Sequence, residues 1–161
     1  MTLVLHRIDD RFIHGQVVVG WGQPLDIRFI VLVDDDVAAS EWEQELYRMG
    51  APPEMEVYFL SVDAAIAQLP AYRADARHGL LLTGDIETMR RLVDAGGITS
   101  INLGGIHHRA GRTQRLRYVF LNEDEESALR ELATRGVSVT AQDVPGARPI
   151  PLDDILSGVA K

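Results

Sequence analysis

Short apolar runs rich in β-branched residues alternate with segments of helical period along the chain, and few folds accept that pattern. The runs are Leu3–Arg7, Phe29–Val33, Glu56–Phe59, Gly79–Leu82, Ser100–Leu103, Arg117–Leu121 and Ser138–Thr140. Helical stretches fall at Gln16–Gly22, Glu41–Met49, Val62–Gln68, Ile86–Ala95 and Asp124–Arg135, with a short last one at Leu152–Val159. Ser40 with Glu43 and Asn122 with Glu125 read as capping boxes, and Gly96 and Gly136 as C′ glycines. Strand–helix alternation at this spacing builds βαβ units. The expectation is a single-domain, three-layer α/β fold over residues 1–161, with a mainly parallel central sheet of about seven strands. The link from Leu103 to Arg117 is Gly- and Arg-rich without helical period, so it predicts a hairpin-like excursion and leaves an antiparallel edge open. Pro145 to Pro151 reads as an extended connection that lays the last helix against the body.

In an open α/β sheet, ligands gather beyond the carboxyl ends of the strands. That rim collects His14 after the first strand, Asp34–Asp36 after the second, Thr83-Gly84-Asp85 after the fourth and Gly104-Gly105 after the fifth. His14 is the foremost candidate. It stands in a polar turn, three residues after Arg11 and directly before Gly15 and the helical stretch that opens at Gln16. A neutral imidazole is a nucleophile, an arginine grips phosphate oxygens in a fork, and the first N–H groups of a helix lack internal partners. Gly15 has no side chain to obstruct an approaching group. The turn therefore suits receiving and holding a phosphoryl group. One carboxylate of Asp9 or Asp10 is available to orient His14 or to pair with Arg7 or Arg11, and Asp10 is favoured for holding Arg11 or the loop.

Other constellations carry less. Asp34-Asp35-Asp36 suggests a hard-cation site, but consecutive carboxylates point in different directions. His107-His108 has i, i+1 spacing, which does not put both rings on one helix face. His6 and His78 read as structural or solvent-facing. Arg109, Arg112, Arg115 and Arg117 form a local basic cluster, either a solvated loop or an attraction for an anionic partner. No G-x-G-x-x-G occurs, so Gly104-Gly105 is not a dinucleotide fingerprint.

A formal charge of −8 argues against a nucleic-acid partner. No apolar stretch approaches the ~20 residues that span a bilayer, and the start lacks a signal-peptide pattern. With no cysteine, neither disulfides nor thiolate metal sites enter. A cytosolic chain is expected.

The stretch Arg7 to Val17, R-I-D-D-R-F-I-H-G-Q-V, resembles the signature of the IIB component of the mannose/fructose/sorbose family of the bacterial phosphoenolpyruvate-dependent sugar phosphotransferase system. Asn102–Ile106 is similar to that family's N-[VI]-G-G-M, Gly111–Gln114 to its G-[KR]-T-Q, and Asp34–Ala38 to its D-D-x-V-A loop, with Ala51-Pro52-Pro53 at a familiar place. Together these span Arg7 to about Val144. The resemblance implies that His14 is phosphorylated through Nδ1 by a phosphohistidine on a IIA protein. It implies transfer of the group to the 6-hydroxyl of a hexose held by a IIC/IID membrane permease. The chain would then be a protein-N(π)-phosphohistidine–sugar phosphotransferase, a homodimer, cytoplasmic and meeting the membrane through the permease. Arg11 and Asp10 would serve the transfer. Gly15, Gln16, Asp34, Asp35, Thr83, Gly104, Gly105, Arg112 and Gln114 would line the phosphate and substrate, with the acidic loop as a lid. No metal or cofactor is expected. Thr83-Gly84-Asp85 departs from the family's frequent Thr-Asn-Pro, so the sugar is not legible. Two rivals stand beside this reading: a regulatory phosphocarrier without transport, and a metal-dependent hydrolase built on His14, His107, His108 and the acidic turns.

Overall fold

The computed structural model describes residues 3–158, the side chain of Gln16 apart. β1 (Leu3–Ile8), β2 (Ile27–Val33), β3 (Glu56–Leu60), β4 (His78–Thr83), β5 (Ser100–Leu103), β8 (Ser138–Ala141) and β9 (Ile150–Pro151) form one sheet in the order β3-β2-β4-β1-β5-β8-β9. Its pairings are parallel up to β8, and β9 closes the edge antiparallel to it. β6 (Thr113–Leu116) and β7 (Val119–Leu121) make a separate antiparallel ribbon.

β2 shows why both faces are covered. Phe29, Val31 and Val33 belong to one apolar core and Ile30 and Leu32 to the other, all five fully buried. A strand buried on both sides reads as a continuous apolar run, as IRFIVLV does here. On the first face lie α3 (Val62–Arg73), α4 (Ile86–Asp94), α5 (Glu123–Thr134) and α6 (Leu152–Ser157). The second face is covered by the helix Gln16–Trp21, by α1 (Asp35–Ala38) through Val37, and by α2 (Glu41–Met49) through Tyr47.

The three-layer, mainly parallel reading agrees with this architecture, and several elements differ. Gln16–Trp21 is wound as a π-helix, in which the Gly22 N–H reaches back five residues to the Val17 carbonyl at 3.0 Å. α3 runs past the expected end at Gln68 to Arg73 and carries Pro70 within it, where the missing N–H forgoes a bond to the carbonyl four residues back. The expected strand Arg117–Leu121 starts only at Val119 and pairs with β6, outside the main sheet. The antiparallel edge comes instead from the Pro-rich tail, through β9. Asn122 and Glu125 close a full capping box, and Gly96 and Gly136 take φ of 94° and 91°. The end expected for the last helix, Val159, lies outside the described residues.

Candidate functional site

β1 lies between β4 and β5, and the turn that follows it is stitched to both neighbours. The Asp9 N–H donates to the Thr83 carbonyl and the Asp10 N–H to the Gly105 carbonyl, each at 2.9 Å. The chain then turns through Phe12 at a φ of 58°, whose ring sits against Gly84 and meets Tyr47 edge-on at 5.4 Å between centroids. A Cβ on Gly84 would lie 2.6 Å from Phe12 Cζ, so glycine there is required by the ring. His14 emerges from this turn, and its carbonyl accepts from both Val17 and Val18 at the start of the π-helix.

Asp9 is the centre of the site. Its side chain is fully buried. Oδ2 contacts Arg7 Nη2 at 3.3 Å and His14 Nε2 at 3.1 Å, while Oδ1 accepts from the Arg11 backbone N–H at 3.2 Å and from Arg11 Nε at 3.4 Å. Burial pushes the Asp9 carboxyl up, but the hydrogen bond and charge of His14, the charge of Arg7 and the Arg11 amide together hold it down at about 2. An ionised carboxylate only accepts, so a neutral His14 ring facing it carries its proton on Nε2 and its lone pair on Nδ1.

Arg7 anchors the carboxylate from beneath. Fully buried, it donates to Asn102 Oδ1, to the Gln142 carbonyl at 2.8 Å and to the Asp143 carbonyl at 3.3 Å, with its guanidinium 5.1 Å from the Trp21 ring centre. Burial lowers its pKa and the Asp9 charge opposes that. A Cβ on Gly104 would fall 2.4 Å from Arg7 Nη2 and 2.7 Å from Asp9 Oδ2, so this glycine makes room for the ion pair.

Of the two carboxylates in the turn after β1, it is Asp9 that holds both Arg11 and His14. Asp10 holds the loop instead, accepting from the His107 N–H at 2.7 Å and pairing with His107 Nδ1 at 2.5 Å. Arg11 is 39% exposed and His14 18%, so both keep access to solvent. Gly15 is exposed, and a Cβ there would meet nothing within 4 Å, which leaves its outer side open. The Gln16 side chain lies outside the described atoms.

Beside this centre a cleft of about 210 Å³ is lined by Asp10, Phe12, Asp34, Asp36, Gly84, Asp85, Arg109 and Arg112. Several residues expected at the substrate have other work. Thr83 is fully buried and its Oγ1 donates to the Asp85 carbonyl. Asp34 lines the cleft while capping α1 through the Val37 N–H; burial raises its pKa, two backbone N–H groups oppose this, and the Asp85 and Asp36 charges add to it. Asp35 is turned toward α3, where Oδ1 accepts from the Val62 N–H at 2.9 Å. The acidic turn is thus a capped helical turn tied to its neighbours rather than a loose flap. Arg112 lines the cleft but is bound bidentately by Glu125 and bonds the His107 carbonyl. Gln114 is exposed on β6 opposite Phe120, away from the contacts around His14. Arg115 and Arg117 pair with Glu126 and Asp143, so much of the basic cluster is neutralised. His6 is buried with Nδ1 on the Ser100 carbonyl, and His78 is exposed with Nδ1 on the Leu25 carbonyl. Among the described residues, no three His, Asp or Glu side chains converge as a metal set.

Sequence reasoning left open whether Asp9 or Asp10 orients His14, and it put Asp36 and Asp85 on the rim and Arg109 in a basic cluster without naming them among the residues that line the site. One signal was available for the first. Arg7 and Asp9 are two apart at the end of a strand, which puts both on one face.

A family model described as the sorbose-subfamily IIB component of the PTS system matches residues 3–161. The chain is 34% identical to the mannose-specific EIIAB component of Escherichia coli (strain K12) over 164 residues, covering all of this chain and 50% of that protein. It thus spans about half the length of that relative. It is 34% identical to the sorbose-specific EIIB component of Klebsiella pneumoniae over 86% of this chain and 85% of the relative. Among solved structures, manxB from Thermoanaerobacter tengcongensis superposes with a TM-score of 0.87 at 35% identity, covering 96% of this chain and 95% of the other.

Proposed function

The chain belongs to the sorbose subfamily of the IIB components of the sugar phosphotransferase system, and from that premise we propose that its 161 residues act as one phosphoryl-carrying domain with His14 as the carrier. The observation that carries the assignment is the 3.1 Å contact from Asp9 Oδ2 to His14 Nε2. That contact supports a neutral ring with its proton on Nε2 and its lone pair on Nδ1, the nitrogen that attacks phosphorus in this reading. In the first step the P–N bond of a phosphohistidine on a IIA protein breaks as a bond to His14 Nδ1 forms. In the second, a hexose 6-hydroxyl held by a IIC/IID permease attacks, the P–Nδ1 bond breaks, and the hydroxyl proton is released. Arg11, held by Asp9 yet open to solvent, faces the travelling phosphoryl group, whose charge is the main thing such a site must stabilise. Gly15 leaves the approach open to the partner.

No helix among the described residues is long and apolar enough to cross a membrane, which suits a domain that meets its permease from the water side. A homodimer belongs to the same reading, and sedimentation of the purified chain reads it directly.

The test is labelling. Incubation with phosphorylated IIA protein is expected to add one phosphoryl group per chain, stable in base and lost in mild acid, as a phosphoramidate is. His14→Ala or His14→Gln abolishes the label, while variants at His6, His78, His107 and His108 keep it. Label that survives in His14→Ala and vanishes in His107→Ala or His108→Ala overturns the assignment.

A further inference from the structure

Arg7 is a buried cation to which the transfer chemistry gives no step, and its bonds are distributed in an uneven way. Nη1 donates to Asn102 Oδ1 and to the Gln142 carbonyl, while Nη2 donates to Asp9 Oδ2 and to the Asp143 carbonyl. Nε is buried and has no hydrogen-bond partner among the described residues. An arginine beside a carboxylate favours two parallel N–H contacts to it. Here Asp9 receives one, at 3.3 Å, and a buried donor stands idle. An idle buried donor costs free energy, so something outside the ion pair fixes the angle of the guanidinium.

The end away from Asp9 supplies that restraint. Arg7 and Asn102 are direct partners in the β1–β5 pairing, and Asn102 is buried. Among the described residues, Asn102 is the one side chain besides Asp9 that accepts from Arg7. Two positions on, Gly104 keeps clear the space beside Nη2. The restraint matters because Asp9 is already full. A carboxylate offers about four lone-pair sites. Those of Asp9 are taken by Arg7 Nη2 and His14 Nε2 on Oδ2, and by the Arg11 backbone N–H and Nε on Oδ1. A second N–H from Arg7 therefore displaces His14 or Arg11.

We propose, resting on the carrier reading of His14, that Asn102 is a positioning residue for phosphoryl transfer. By holding Nη1 it keeps Arg7 from closing on Asp9 as a fork, and that leaves Asp9 Oδ2 to hold His14. Its action passes through Arg7 and Asp9 rather than through the phosphoryl group. The Gln142 and Asp143 carbonyls hold the same guanidinium from the segment that follows β8, so Asn102 closes a grip that two backbone groups begin.

The experiment reads the Asp9–His14 bond itself, by nuclear magnetic resonance of the proton on His14 Nε2 in the isotope-labelled chain, at one pH where the ring is neutral. In the wild-type chain that proton is expected to be protected from exchange with water, because Asp9 accepts it. In Asn102→Ala it is expected to exchange about ten-fold faster or more. The kcat for phosphorylation by phosphorylated IIA protein is expected to fall with it while KM stays unchanged. Asn102→Asp returns an acceptor to Nη1 and is expected to restore the protected proton. Asn102→Thr suits a strand but has no oxygen at the reach of Oδ1, and it repeats the test should the alanine variant not fold. If Asn102 only satisfies a buried arginine, its loss lowers stability and leaves the His14 proton protected. A folded Asn102→Ala or Asn102→Thr chain that keeps wild-type protection overturns this proposal alone, as does a wild-type proton that exchanges freely. If neither phosphoramidate nor phosphorylated IIA protein labels wild-type His14, the carrier reading fails and this proposal falls with it.

Discussion

Asp9 holds the largest share of the site's geometry in one side chain, and its replacement has two separable consequences. Asp9→Asn leaves Arg7 buried without its carboxylate, and breaking a buried pair in this way costs about 3–5 kcal/mol. The loss is expected in denaturant unfolding. The same variant releases His14 from the Nε2–H tautomer, so phosphorylation slows even in protein that remains folded at low temperature. Arg11→Ala separates the two effects, because Arg11 is partly exposed and its Asp9 contact is long at 3.4 Å. Its melting temperature stays near wild type while transfer to His14 falls strongly, and Arg11→Lys restores part of the rate, since an ammonium lacks the planar fork. An Arg11→Ala variant that transfers at the wild-type rate removes the role given to that residue. The sequence alone favoured Asp10 for holding Arg11 or the loop and left open which carboxylate orients His14. The two are adjacent, and which one faced His14 depended on the turn at Phe12.

At the scale of elements, the acidic turn is held by its carboxylates. Asp34 caps α1 and Asp35 accepts from the first N–H of α3. Asp34→Ala is expected to lower stability by about 1 kcal/mol, the usual worth of an N-cap. Chelator is expected to change neither the melting temperature nor transfer from IIA protein; activity lost to chelator and restored by a divalent cation would revive the hydrolase reading. The Asn122–Glu125 capping box, the one-way Ser40 cap on Glu43 and the C′ glycines were legible because each depends on residues close along the chain. The π-winding of Gln16–Trp21 was not, since it turns on how Val17, Val18 and Trp21 must meet the sheet and Arg7. The strand at Arg117–Leu121 was misplaced for a related reason. A short apolar run states that it will pair, but not with which strand.

The whole molecule answers to acid through groups in several layers. Burial lowers the pKa of His6, with the Ser100 carbonyl opposing that and the Arg73 charge adding to it. A histidine depressed on folding contributes stability that is present above its unfolded pKa of about 6.5 and is lost as pH falls toward the folded value. Asp9, held at about 2, contributes stability that is complete above about pH 4 and drains as pH falls through about 2. Asp34 acts with opposite sign, since its raised pKa favours folding below the ordinary carboxylate range and disfavours it above. The melting temperature is therefore expected to decline as pH drops from 7 toward 5, and His6→Leu is expected to flatten that limb. A His6→Leu profile parallel to wild type would exclude His6 as the cause.

The sequence by itself determined the alternation that makes an α/β sheet, the turn in which His14 stands and the family to which that turn belongs. These depend on local period and on residues close along the chain. Only the tertiary structure decided that Asp9 rather than Asp10 contacts His14, that Thr83 is buried and Gly104 makes room for the Arg7–Asp9 pair, and that Asp10 reaches His107 across ninety-seven positions. Each of those outcomes depends on which loops meet beyond β1, β4 and β5. Parallel strands meet through long crossovers, so the neighbours of a strand end are set by packing and not by adjacency in the chain.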